Sequence, residues 1–446
     1  MIDERDAILA YIDQATYLSW RATDRGQLVQ YVWVYERPVD MEQVERFHRN
    51  FGHGLAGRLI EPSPLPFGRH RWVSAPGPAA PLDVAEVRAP SELGAWIDER
   101  SQVRIDPVLG PGWQLAVLPM ADGTTAISLV MSHCVIDGGG SMYAVSDAIN
   151  GRRRNLGYPQ RHSRTRVRAL GRDARQVLRD LPEFARTVAV AARFAYRRRG
   201  QISASGASRP SVPTGVGGTI VLPAVSVIVE GSDWDARAGE LGGNGYALLA
   251  GFSARMGQRL GRVRPSDGAV TLLVAVADRA GAQDTRANAM KIATAVVDPS
   301  DVCSDLTATR SAIRTARAAL HDEPDEMHAL LPVTPFVPKR AVRRTSDVVF
   351  GDLPVTCSNV GDVFPDIARI DGTDADYMVF RPADQNVSRD VVERAGGQLV
   401  VASGRVGGKV SIGVIGYEVG AANTREWLAE HVAATLADFK LKGTTV

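Results

Sequence analysis

The group best suited to move a proton at neutral pH is His133, in the run Ser132-His133-Cys134-Val135-Ile136-Asp137-Gly138-Gly139-Gly140. An imidazole with a pKa near neutrality can take a proton from an alcohol, amine or thiol as that group attacks an electrophile. Asp137 follows four positions later, and three glycines permit the sharp turn that presenting the ring requires. The carboxylate can act on the ring or fix the turn beneath it; spacing alone leaves both roles open. Cys134 invites a nucleophile-and-base reading, but neighbours in an extended segment point to opposite faces, so its thiol should turn away from the imidazole. The glycine run lacks both the GxGxxG and GKS/GKT phosphate-binding patterns, which favours a plain turn.

The elements around His133 follow from periodicity. Thr125 to Met131 is a β-rich, apolar run, and Ser141 to Asn150 carries Met142, Val145 and Ile149 at helical spacing. His133 therefore lies where a buried strand gives way to a helix. Trp113 to Leu118 and Thr125 to Met131 flank Asp122-Gly123, which predicts a hairpin that holds the His-bearing strand against an antiparallel neighbour. Upstream, Asp6 to Tyr17 is an expected helix, Gln27 to Glu36 a strand and Val39 to Phe51 a helix. His48, His53 and His70 lack paired metal-ligand spacing, and no metal is expected.

An HxxxDG pattern at the end of a β-rich run resembles the active-site signature of the CoA-dependent acyltransferase superfamily. That superfamily includes chloramphenicol acetyltransferase, condensation domains of nonribosomal peptide synthetases, wax ester synthase/diacylglycerol acyltransferases and polyketide-associated acyltransferases. Many members carry HHxxxDG; here Ser132 stands at the first His, as a single His also suffices in the plant acyltransferases. The resemblance implies an α/β fold, a two-lobed chloramphenicol acetyltransferase-like pseudo-dimer with mixed sheets and an interlobe tunnel. It implies His133 as general base and Asp137 and Gly138 as structural residues at the site. The strand Ala269 to Ala277 runs into Asp278-Arg279, with Asn288 beyond; by the same resemblance Arg279 pairs with Asp137 and holds the turn. Val355 to Gly361 resembles the SNVPG segment of wax ester synthase-like enzymes, with Asp362 near the usual proline position. That match assigns Ser358 and Asn359, along with Ser132, to substrate binding, although Ser358 and Asn359 also suit a turn.

At 446 residues the chain exceeds what one hydrophobic core usually supports. The expected division is an N-terminal lobe over 1–200, a Ser/Gly/Pro-rich linker over 201–218 and a C-terminal lobe over 219–446. Three scattered cysteines, Cys134, Cys303 and Cys357, support neither a disulfide framework nor a zinc site. The acidic start and the lack of any 18-residue apolar run predict a cytoplasmic protein. Net charge is +2, but Gly151 to Gly215 holds sixteen arginines against Asp173, Asp180 and Glu183, a local +13 that leaves the rest near −11. A long helix over Val167 to Arg199, interrupted near Pro182, should carry Leu170, Val177, Leu178, Leu181 and Phe184 on an apolar side. Such a segment suits an anionic membrane, an acidic carrier protein, the phosphates of CoA, or simply a solvated interdomain helix.

The expected activity is acyl transfer from a thioester, acyl-CoA or acyl-carrier protein, to a hydroxyl or amine of a small-molecule or lipid acceptor. The thioester is then a co-substrate, and neither a resident cofactor nor nucleic acid is expected. Two alternatives stay open: a free-standing condensation enzyme forming an amide, and a non-catalytic relative that binds an acyl chain or carrier. The complete HxxxDG argues against the second, because a binding module has no need of the histidine.

Overall fold

The strand Gly26–Tyr35 (β1) alternates large side chains to two buried faces. Tyr31, Trp33 and Tyr35 enter one apolar cluster, whereas Val32 and Val34 enter another. A strand apolar on both sides must lie inside a layered fold. In the computed structural model, which describes residues 7–197, 218–322, 329–337 and 353–446, β1 is covered on both faces.

In chain order, helix Tyr11–Thr23 (α1) precedes β1, and helix Met41–Phe51 (α2) follows it. Strands Arg58–Glu61 (β2) and Arg71–Ser74 (β3) form a small hairpin, and Asp83–Val84 (β4) is a short edge strand. Helix Leu93–Ser101 (α3), strands Trp113–Pro119 (β5) and Thr125–Ser132 (β6), and helices Gly138–Ile149 (α4) and Arg166–Arg197 (α5) complete the first half. The second half contributes Thr219–Ile220 (β7), Ala224–Glu230 (β8), Val270–Ala277 (β9), Met290–Val297 (β10) and Val355–Asp362 (β11). Tyr377–Gln385 (β12), Val387–Ser388 (β13), Gln398–Val406 (β14), Lys409–Tyr417 (β15) and Thr444–Thr445 (β16) follow.

Two principal sheets result. The first has the order β12-β1-β6-β5-β4 and the second β10-β9-β11-β14-β15-β8-β16; both are mixed. Helices α2 and α4 share the apolar cluster on one face of the first sheet, and α3 the cluster on the other. Helices Gly245–Arg259 and Arg425–Asp438 bury their apolar residues against the second sheet. Strand β12 comes from the second half yet pairs with β1 along nine residues. It crosses the second sheet so closely that a Cβ at Gly413 would lie 2.6 Å from Arg381 Cβ, so only glycine fits there. The two sheets therefore share a packed junction.

Several expected elements shift. Helix α1 starts at Tyr11 and ends at Thr23, where Asp24 takes the left-handed conformation. Strands β10 and β12 have no counterpart among the elements expected from sequence. Helix α5 runs through Pro182 without interruption. The proposed linker, 201–218, lies outside the described residues except for Gly218, as do Arg198, Arg199 and Arg209.

Candidate active site

Strand β6 is buried at every position, held between β1 and β5. Its last residue, Ser132, donates its amide to Gly112 O (3.0 Å), and its carbonyl accepts from the amides of Val135 (3.0 Å) and Ile136 (3.1 Å). These bonds close the turn after the strand. His133 N donates to Gln27 O at 2.9 Å, which ties the residue to the start of β1, and its side chain is half-buried.

Asp137 anchors the far end of the turn. Its carboxylate caps α4 through Gly140 N (2.6 Å), accepts from Ala289 N (2.7 Å) and meets Arg279 Nη2 at 2.6 Å. The arginine also donates to the carbonyls of Asp284, Arg286 and Ala287. Both side chains of the pair are about 5% exposed, Arg279 5% and Asp137 6%. The turn from the first half and the loop 278–289 from the second are thus locked together, with Asp137 fully used in holding them. A Cβ at Gly138 would sit 3.1 Å from Val360 Cγ1, so the glycine lets β11 approach the start of α4.

The imidazole itself is oriented by Asn288. His133 Nδ1 lies 2.7 Å from Asn288 Oδ1, while Asn288 Nδ2 donates to His133 O (3.3 Å) and to Asp13 Oδ1 (3.2 Å). Two acceptors on Nδ2 fix the amide with its oxygen toward the ring. A carbonyl oxygen only accepts, so Nδ1 carries the proton and Nε2 keeps a free lone pair. Asp13, on α1, also receives the amides of Ala287 (3.0 Å) and Asn288 (2.8 Å). Burial pushes its carboxyl up, opposed by those bonds and by Arg58. Arg58 is 1% exposed, stacks 3.8 Å above Trp72, and donates to Val135 O (2.9 Å) and Thr285 O (2.5 Å), bridging the same two segments.

The remaining sequence candidates fall as follows. Cys134 is buried at 3% exposure, and burial pushes its thiol up to about 12, so it is a thiol at neutral pH. Ser132 is buried, and its hydroxyl accepts Cys134 N at 3.3 Å. Asn359 Oδ1 accepts from Gly361 N at 2.8 Å, which uses it in a turn; Ser358 sits half-buried on β11 between Ala275 and Ala402. Among the described residues no hydrogen bond joins either to His133. His48 packs on Trp113 and His70 on Tyr17, and burial pushes His70 down to about 3. The part of the basic run at Arg152 and Arg154 is engaged with Asp147. A cavity of about 440 Å³ opens beside Cys134 and Gln27 and extends past Trp20 to Arg262, Thr356 and Leu399, so both sheets line it.

No protein-family model matches the sequence, and no curated protein does. Solved structures share its fold. The first condensation domain of the CDA synthetase aligns over 98% of this chain and 99% of its own, with a TM-score of 0.56 at 12% identity. TRI3 trichothecene 15-O-acetyltransferase from Fusarium sporotrichioides aligns over 97% and 94%, with a TM-score of 0.58 at 11% identity. The fold is that of the condensation domains and CoA-dependent acyltransferases. The nonribosomal peptide synthetase FmoA3 aligns over 98% of this chain with a TM-score of 0.51 at 17% identity, and the chain spans only 42% of that longer protein. Residues Asp13 and Arg58 were not singled out from sequence; nothing distinguishes an aspartate in an amphipathic helix or an arginine in a short strand until the fold buries them.

Proposed function

We propose that this protein transfers an acyl group from a thioester to a hydroxyl or amine, with His133 as general base. The observation that carries the reading is the 2.7 Å contact between His133 Nδ1 and Asn288 Oδ1, which leaves Nε2 as a bare acceptor. Nε2 takes the proton of the acceptor as its oxygen or nitrogen bonds to the thioester carbonyl carbon. The resulting tetrahedral species collapses, the carbon–sulfur bond breaks, and the imidazolium returns the proton to the departing thiolate. Asn288 and Asp13 are positioning residues, and Asp137 with Arg279 maintains the turn. The donor is an acyl-CoA or an acyl-carrier protein, a co-substrate in either case. The cavity lined by both sheets is not lined by His133 itself; it opens at Gln27 and Cys134 beside it, and its volume of about 440 Å³ suits an acceptor or part of an acyl chain.

Support for acyl transfer also comes from the fold, shared with an O-acetyltransferase and with a condensation domain. Those two chemistries differ in acceptor, not in the task given to the histidine. The test is thiol release from a panel of acyl-CoAs and acyl-carrier proteins offered with alcohols and with amines. Acceptor-dependent release by the wild type, lost in His133→Ala, is expected. Silence of both proteins across the panel, with equal donor binding, would instead make the chain a binding relative.

A further inference from the structure

Helix α5 is turned inside out with respect to an ordinary surface helix. Its carboxylates are engaged within the protein: Asp173 meets Arg164, just before the helix, at 2.5 Å and accepts from Ser63 Oγ of the protein body, Asp180 lies 3.7 Å from Arg69, and Glu183 accepts from Tyr11 OH at 3.1 Å. Phe184 packs on Phe336, and Ala169 and Thr187 are buried. Sequence periodicity put Leu170, Leu178, Leu181, Val177 and Phe184 on one apolar side. The structure divides that set, with Val177 and Phe184 half-buried and the three leucines exposed.

The outward face is apolar instead. Val167 is 79% and Leu178 65% exposed, with Leu170, Leu181 and Val188 also exposed. Val167, Leu181 and Val188 share a seven-residue spacing with the exposed Ala174, and Leu178 shares one with the exposed Ala185. Side chains three, four and seven apart lie on one helical face, so these residues form a single stripe about 30 Å long. Arg168, Arg175, Arg179 and Arg186 are exposed along its flank. Hydrophobic surface is normally turned inward, so an apolar stripe facing out beside arginines marks a docking face.

We propose that α5 lies on an anionic lipid surface, its stripe inserted at the headgroup boundary and its arginines against lipid phosphates. Charge decides among occupants. A second copy of the helix would bring arginine flanks together while the helix's own carboxylates remain engaged with the protein body. The stripe is one convex face of a single helix, and the cavity that Arg175 and Arg179 help line lies toward Ile8 and Arg69 and not on the stripe, which suits a plane more than a globular partner. No described helix is long and apolar enough to cross a membrane, so the contact is one of lying on the surface. The inference does not depend on acyl transfer, and its test requires no substrate.

The full chain would be sedimented with phosphatidylcholine vesicles, with and without an anionic phospholipid. Two variants, Val167→Ser/Leu178→Ser/Leu181→Ser and Arg168→Gln/Arg175→Gln/Arg179→Gln/Arg186→Gln, alter only exposed side chains, and their folding would be checked by circular dichroism. The wild type should bind the anionic vesicles alone and be released by salt. Each arginine near such a surface strengthens binding about fivefold, so the arginine variant should lose about a hundredfold or more. The serine variant should lose at least about tenfold. Absence of vesicle binding by the folded wild type, equal binding to neutral vesicles, or indifference to both variants would overturn the proposal. So would a dimer abolished by the serine variant, or binding of an acidic carrier protein in place of vesicles.

Discussion

Asp137→Ala tests how the site is held together. The carboxylate takes Arg279 Nη2, Gly140 N and Ala289 N within 2.7 Å, and both members of the ion pair are nearly inaccessible to solvent. Removing one partner of a buried pair leaves an uncompensated charge, at about 3 to 5 kcal/mol. The three carbonyls that also receive Arg279 place this loss toward the lower end. Loss of the α4 cap adds about 1 kcal/mol. The single variant should therefore lose about 4 kcal/mol, and Arg279→Met about 3 kcal/mol, because a buried carboxylate keeps only its two backbone donors. The double variant Asp137→Ala/Arg279→Met strands no charge and should be no less stable than Asp137→Ala alone. Urea unfolding of the four proteins at neutral pH reads this directly. Singles whose losses add in the double to within about 0.5 kcal/mol would refute a coupled pair, as would an Asp137→Ala loss below about 1 kcal/mol.

Asn288→Ala frees the imidazole to rotate and to take the other tautomer. It should lower kcat about ten- to a hundredfold with little change in KM, and an unchanged kcat in a folded protein would remove Asn288 from its positioning role. Cys134→Ala should retain acyl transfer, and its thiol, pushed up to about 12, should react with iodoacetamide far more slowly than the half-buried Cys303; inactivation by selective alkylation of Cys134 would contradict this. His70 is pushed down to about 3 while an unfolded histidine titrates near 6.5. Below pH 6.5 the unfolded chain therefore binds a proton that the folded chain refuses. Stability is retained above that pH and falls as pH drops toward 3, by about 2 kcal/mol between pH 6.5 and 5. His70→Asn keeps an acceptor for Ser63 N and removes the titration, so its loss over that interval should be about 2 kcal/mol smaller; parallel curves would exclude His70 as the cause.

The strand-turn-helix around His133 was legible because it is local: an apolar β run, an aspartate before three glycines and a helical repeat are contiguous in sequence, although the aspartate's role as the α4 cap emerged only in the structure. The long-range parts were less so. Pairing of β12 with β1 joins residues some 350 positions apart, and a period-two pattern says that a strand exists without saying which sheet it enters. Asp13 gains its role only when α1 is laid against the loop 287–288, where two amides and an asparagine converge on it. Helix α5 shows the opposite failure. Its sequence pattern predicted a helix but not its orientation: Leu170, Leu178 and Leu181 face out while Val177 and Phe184 are half-buried, and Arg164, Arg69 and Tyr11 engage the acidic residues on the other side.

The central claim is that the His133 ring carries the proton between acceptor and thiol. The direct measurement is acylated acceptor formed per thiol released, followed by mass spectrometry at saturating donor for the wild type and His133→Ala. The wild type should give one product per thiol, and the variant should be slower by about a hundredfold or more with donor affinity unchanged. A folded variant that keeps more than about a tenth of the wild-type rate would show that His133 is not the base.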